Sequence, residues 1–178
     1  MVTAQLRRVA GSVVDPELRA VTIEELGILR DVRVDPDSGR VVVTITPTYA
    51  GCPAMDTIRA DIRRALDAAG HPDAEVRTVL SPAWSTDRIS EAGRAKLTAA
   101  GIAPPGPARG GPGPARSPAG PAGPARSTAG PVALVLSVRC PRCGSPQTEQ
   151  LSRFGSTACK ALWRCRACLE PFEHIKAL

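Results

Sequence analysis

At 178 residues, 43 % hydrophobic and 22 % charged, the chain has the composition of an ordinary globular protein with one domain or two small ones. Aromatics are 3 %, so its cores must be built from Val, Ile, Leu and Ala. No apolar run approaches the roughly 18 residues that span a membrane, and Met1 to Val14 lacks the apolar stretch of a secretory signal, which predicts a cytoplasmic protein. The net charge of +6 is uneven: residues 1–102 carry 13 basic and 14 acidic groups, residues 103–136 add three arginines, and residues 137–178 carry seven basic against three acidic groups. That basic surplus permits contact with nucleic acid or an acidic protein, and describes a plain solvated module equally well.

In chain order, Gln5 to Val14 predicts a short helix stopped by Asp15-Pro16, because proline disfavours helix in the residue before it. Residues 28–46 predict a hairpin: Ile28 to Val34 alternates in its later half, Asp37-Ser38-Gly39 is a turn signal, and Arg40 to Thr46 is β-branched. Pro53 to Ala69 carries Met55, Ile58, Ile62, Leu66 and Ala69 at helical spacing and ends at Gly70. Glu75 to Leu80 predicts a third strand, and Thr86 or Asp87 a cap for a last helix with Ile89 and Leu97 on one face. The order α-β-β-α-β-α predicts an α+β layer, a three-stranded sheet with helices on one side, over residues 1–102.

Between Pro104 and Pro131 there are nine prolines and seven glycines, and Gly-Pro-Ala-Arg recurs at 106–109, 113–116 and 123–126. From Pro104 to Pro131 no apolar residue is larger than Ala or Pro, and residues 103–136 predict a disordered linker that tethers the two halves rather than docking them.

Residues 137–178 hold the strongest motif. Cys140-Pro141-Arg142-Cys143-Gly144 is answered by Cys165-Arg166-Ala167-Cys168, with room for a hairpin between. Paired Cys-x-x-Cys motifs in a chain without an export signal favour metal over disulfides. Cys140, Cys143, Cys165 and Cys168 therefore predict a structural Zn²⁺ site of zinc-ribbon type, although a four-sulfur cage also suits iron or an iron–sulfur centre. Cys159, in the same module, reads as a small buried hydrophobe, a partner contact or a thiol activated by Lys160. His174 is expected to be exposed rather than a ligand.

In the first half, Cys52 follows a strand and precedes the longest helix, and Pro53 suits the first helical position. That placement predicts Cys52 at the N-cap, where the helix dipole lowers a thiol pKa. Such a thiolate could bind iron transiently or act as a nucleophile; a buried cysteine packing the loop is the alternative. Asp15 and Glu17 read as hard ligands or as helix and turn caps. No phosphate loop or Ser/His/Asp grouping is visible, and the chain lacks the paired Glu-x-x-His helices of a di-iron oxygenase. It is not expected to catalyse an oxidation by itself.

Asp15-Pro16-Glu17, Thr22 to Val32 and Thr46 to Pro53 resemble the small α+β domain of iron–sulfur assembly factors, the family that includes SufT. Ser81-Pro82-Ala83-Trp84, Gly101 to Pro105, Cys140 to Ser145, Phe154 to Ala161 and Glu170-Pro171-Phe172 add a resemblance to the PaaD family, a small component of bacterial phenylacetyl-CoA 1,2-epoxidase systems. The resemblance implies a role in aerobic phenylacetate breakdown, alongside a di-iron oxygenase and a reductase with flavin and an iron–sulfur cluster. It implies an accessory protein that helps assemble or maintain one of those centres, with Cys52 as a transient iron or iron–sulfur ligand aided by Asp15 or Glu17. The epoxidase oxygenase and reductase subunits are the implied partners. The rival is a stable bridging subunit without catalysis. A nucleic-acid-binding ribbon is a third reading, against which the few aromatics for base stacking count.

Overall fold

The computed structural model describes residues 2–106 and 138–176. The expected linker falls almost wholly outside the described residues. In the first half, α1 (Val2–Gly11) precedes strands β1 (Leu29–Val34) and β2 (Val41–Ile45), followed by α2 (Ala54–Ala68) and β3 (Glu75–Thr78). A 3-10 turn at Thr86–Arg88 then leads into α3 (Glu91–Ala99).

β1 and β2 pair antiparallel across a turn in which the Asp35 carboxylate accepts the Ser38 N–H and Gly39 sits at φ +70°. α2 then carries the chain to β3, which pairs parallel with β2, as a helical crossover permits. The resulting sheet has the order β1-β2-β3, and α1 and α2 pack on it and on each other. Ile58, Ile62 and Leu66 lie at spacings of four along one face of α2 and are fully buried against Val43 and Ile45 of the central strand's core layer. The α+β reading is therefore observed.

Three local expectations move. The first helix ends at Gly11, and Val14 leaves it to bridge Thr22 instead. The last helix does not begin at Thr86: those residues form the separate 3-10 turn, and Ser90 caps α3 by accepting the Gly93 N–H. Ile89 is buried between them rather than on the helix.

The C-terminal half is a second sheet of β5 (Thr148–Ser152), β6 (Lys160–Cys165) and β7 (Pro171–Ile175), paired antiparallel in sequence. Its fourth strand comes from the other half: β4 (Ile102–Ala103), directly after α3, pairs parallel with β7. Ile175 is buried in the same core cluster as Leu18, Leu26 and Trp84, and Trp84 donates its Nε1–H to the Leu26 carbonyl at 2.8 Å. The two halves are thus docked, contrary to the tethered arrangement expected from the linker composition. The cause is a backbone ladder and an apolar plug contributed by segments outside that linker.

Candidate metal centre and thiol site

The four cage cysteines are supplied by two knuckles with the same backbone pattern. Cys140 donates its N–H to the Ser145 carbonyl, and Cys165 donates to Glu170, each five residues on. The fifth position of each knuckle is left-handed: Gly144 at φ +73° and Leu169 at φ 63°. The backbone N–H groups of Ala167 and Cys168 point at Cys165 Sγ, at 3.4 and 3.5 Å. The Cys168 N–H foremost, with that of Ala167, pulls the Cys165 thiol down to about 6 against the opposing effect of burial.

All four sulfurs lie within 4.8 Å of one another, the one such group of three or more candidate ligands among the described residues. Zn–S bonds of about 2.3 Å imply tetrahedron edges of about 3.8 Å. The Cys140–Cys168 and Cys143–Cys165 separations are 3.8 and 3.5 Å. The donor set fits a tetrahedral metal such as Zn²⁺, and because all four positions are protein thiolates it leaves none open for a substrate. His174 is outside this group. It is half-buried, edge-on to Trp163, and burial drives its pKa down to about 4.

The second set of predicted residues, Asp15, Glu17 and Cys52, belongs to the first half. Asp15 is 5 % exposed, and its Oδ1 accepts the N–H groups of Glu17 at 2.9 Å and Leu18 at 2.7 Å. The turn-cap reading is therefore observed for Oδ1, while Oδ2 has no hydrogen-bond partner among the described residues. Burial raises the Asp15 pKa against those two N–H groups, and burial followed by the Asp15 charge raises that of Glu17.

Cys52 differs from expectation in two respects. Pro53 itself, at φ −69° and ψ −21°, occupies the cap position, so Cys52 lies one residue outside the helix. Its thiol pKa is also raised, not lowered: burial dominates over the Ala54 N–H, and the charges of Glu17, Asp15 and Cys159 add to it. Tyr49, in the same loop, accepts the Cys52 N–H on its carbonyl at 3.3 Å, and burial and then Cys52 raise the pKa of its hydroxyl. The sequence carried no signal for Tyr49 beyond its place in that loop.

Cys159 and Lys160 complete the surroundings. Lys160 is 3 % exposed, and its Nζ pairs with Glu173 Oε2 at 2.9 Å. Its charge reaches Asp15 and Glu17. Cys159 is buried and lines a closed apolar cavity with Leu18, Leu26, Thr48, Trp84 and Ile175.

Residues 125–176 match the family model described as the PaaD zinc beta ribbon domain, and residues 3–80 match the one described as iron-sulfur cluster assembly protein. An Escherichia coli protein, named as the D component of a "Putative 1,2-phenylacetyl-CoA epoxidase", is 39 % identical over 164 residues, covering 92 % of this chain and 86 % of that protein. The Bacillus subtilis Fe-S protein maturation auxiliary factor YitW is 42 % identical over 79 residues, covering 44 % of this chain and 76 % of that one. A Bacillus anthracis crystal structure titled as a domain of unknown function, DUF59, is 34 % identical with a TM-score of 0.48, covering 53 % of this chain and 90 % of that one. No described helix is long and apolar enough to cross a membrane. With a four-cysteine ribbon joined to an iron–sulfur-assembly domain, and identity to the Escherichia coli protein that runs through both, this chain belongs to the PaaD family.

Proposed function

We propose that this protein is a cytoplasmic accessory metalloprotein of a phenylacetyl-CoA 1,2-epoxidase system in phenylacetate breakdown, carrying iron or an iron–sulfur cluster to an oxygenase or reductase subunit. Cys52 is the transient ligand of that cargo, with Asp15 or Glu17 beside it. The module at 137–178, held by Zn²⁺ on Cys140, Cys143, Cys165 and Cys168, meets the client. The units at 1–102 and 137–178, joined by 103–136, divide the two tasks. The chain is not catalytic alone and has no role on nucleic acid.

The observation that supports the reading is a half-buried Cys52 thiol, outside the closed cage, that feels the charges of Glu17 and Asp15. A complete thiolate cage retains its metal, whereas an incomplete set of ligands holds a cargo ion loosely enough to release it. The names of the maturation-factor relatives support iron–sulfur cargo, and that of the Escherichia coli relative supports the epoxidase as client. In cells making the epoxidase components, Cys52→Ser should deplete iron or cluster from the oxygenase or the reductase while the level of this protein stays unchanged. Intact metal content and intact epoxidase activity would sink the delivery role.

The docked halves favour one further reading, a stable bridging subunit. Co-purification with the oxygenase in fixed ratio, undisturbed by Cys52→Ser, would support it over delivery.

A further inference from the structure

The chain has two Trp, one Tyr and two Phe, and only Phe154 among them is exposed. It is 72 % exposed, whereas Trp84 and Phe172 are buried and Tyr49 and Trp163 half-buried. Phe154 sits in the turn that joins β5 to β6. The ladder sets where that turn lies: Thr148 pairs with Cys165 beside the cage, and Lys160 pairs with Ile175 at the other end of the sheet. The turn is therefore at the tip of the ribbon remote from the cage, and that end also carries Ile175, which packs into the core of the first half.

The turn is braced from beneath. The Phe154 N–H donates to Ser152 Oγ at 3.0 Å, and the Gly155 N–H to the Lys160 carbonyl at 2.9 Å. The Ser156 N–H donates to Glu173 Oε1 at 2.7 Å, and the other oxygen of that carboxylate holds the buried Lys160 ammonium at 2.9 Å. A Cβ at Gly155 would lie 2.9 Å from Glu173 Oε1 and 3.0 Å from Lys160 Cβ, so the glycine lets the turn close down on this ion pair. Lys176 Nζ lies 5.5 Å from the Phe154 ring centroid and donates to the Arg153 carbonyl at 3.4 Å. The ring is held in place yet left in water.

A single exposed apolar side chain is ordinary. Its surroundings are not. Leu151, 49 % exposed, is skipped by the β5–β6 ladder at a bulge three residues earlier. Arg153 and Lys176 have no carboxylate partner among the described residues, while Glu149 engages both Arg164 and Arg166 and Glu173 engages Lys160. Two unbalanced cations of a basic module thus flank its one exposed ring.

We propose that this tip, Phe154 with Leu151, Arg153 and Lys176, is the surface on which the ribbon docks a protein client, and that it takes an acidic segment carrying an apolar side chain. The apolar side chain would cover the ring, and the carboxylates would balance Arg153 and Lys176. Because the ring is already ordered, docking costs it little freedom. One ring, with no second exposed aromatic for a neighbouring base, suits a protein rather than a nucleic acid. The proposal rests on the reading that the C-terminal module meets the client, and it puts the contact at the end of the ribbon opposite the cage.

Titration of the zinc-loaded full chain against the purified oxygenase and reductase subunits of the epoxidase, each alone and at low and high salt, tests it. Phe154→Ala should weaken binding to one of them by about tenfold or more. Arg153→Glu combined with Lys176→Glu should weaken it about as much and flatten its salt dependence. Arg63→Glu, which reverses an exposed charge on α2, should change nothing. Zinc at one per chain and unaltered Trp84 emission identify the variants as folded. Undiminished binding in both tip variants would overturn the proposal and leave the client reading standing, as would loss of binding in Leu169→Ala, at the cage end, in place of Phe154→Ala. Failure of the unaltered chain to bind either subunit would overturn the surface and the client together. A dimer of this chain, or a bound single-stranded oligonucleotide, that Phe154→Ala abolishes while subunit binding is unchanged would assign the tip to a different occupant and overturn it too. The cargo reading is judged separately, from client iron in cells carrying Cys52→Ser.

Discussion

A thiol just ahead of a helix is drawn two ways. Backbone N–H groups and the helix dipole favour its anion, and withdrawal from water disfavours it. At Cys52 the Ala54 N–H does reach the sulfur, but the residue stands outside the cap and is half-buried beside Glu17 and Asp15, so the neutral thiol wins. The sign has a measurable consequence. Because the pKa is raised from 9.0, the thiolate fraction at pH 7 is below that of an ordinary cysteine, and it grows only as pH climbs through and beyond that value. Iodoacetamide alkylation of Cys52 in the zinc-loaded chain should therefore be slower at pH 7 than that of a free thiol and still be rising at pH 9. A rate that levels off below pH 8 would show an activated thiolate instead. The sequence exposed the position and the neighbouring proline but neither the burial nor the added charges of carboxylates that lie some 35 residues earlier in the chain.

Among the elements, those with a strong local period were legible. The α2 face of Ile58, Ile62 and Leu66 and the β1–β2 hairpin needed only spacing and a turn signal. The cage was legible because knuckles are local as well. β4 was not, since two residues after Gly101 become a strand only through parallel pairing with Glu173 and His174, about 70 residues away. Cys159 is placed instead within the ribbon, just ahead of β6, where its carbonyl accepts the Lys176 N–H. The two knuckles also differ in a way that sequence alone leaves unexplained. Gly144 meets the left-handed fifth position freely, whereas Leu169 holds φ 63° with its side chain 71 % exposed. A left-handed L-residue costs about 1–2 kcal/mol, and an exposed Leu offers little packing in return. Leu169→Gly should accordingly leave zinc stoichiometry unchanged and stabilise the folded chain by about 0.5–1 kcal/mol, after the greater freedom of glycine in the unfolded chain is counted. Urea unfolding at fixed zinc measures it, and a loss of stability would mean that the Leu169 side chain makes contacts that matter.

For the molecule as a whole, the consequence of docking is that the metal supports more than its own module. The ribbon is too small to keep its fold without the cage, and its Ile175 fills the same core as Leu26, Trp84 and Ile89 of the first half. Losing the ribbon fold would reopen that core to water and remove the partner strand from β4. Trp84 and Trp163 report on opposite sides of this junction: Trp84 is buried against Leu26, and Trp163 sits in the ribbon beside His174. Each can be followed alone in the full chain by replacing the other with Phe. With zinc bound, the two signals should change together on heating, as one cooperative unit. Stripping the zinc should abolish the folded Trp163 signal and also lower the Trp84 midpoint, because burying a side chain the size of Ile is worth about 1.5–3 kcal/mol. A first domain of about 100 residues shifts its midpoint by roughly 4–8 °C for each kcal/mol, so the change is well within reach of a fluorescence melt. A Trp84 midpoint indifferent to zinc would mean that the halves fold independently and that the β4–β7 ladder and the Ile175 contact do not couple them.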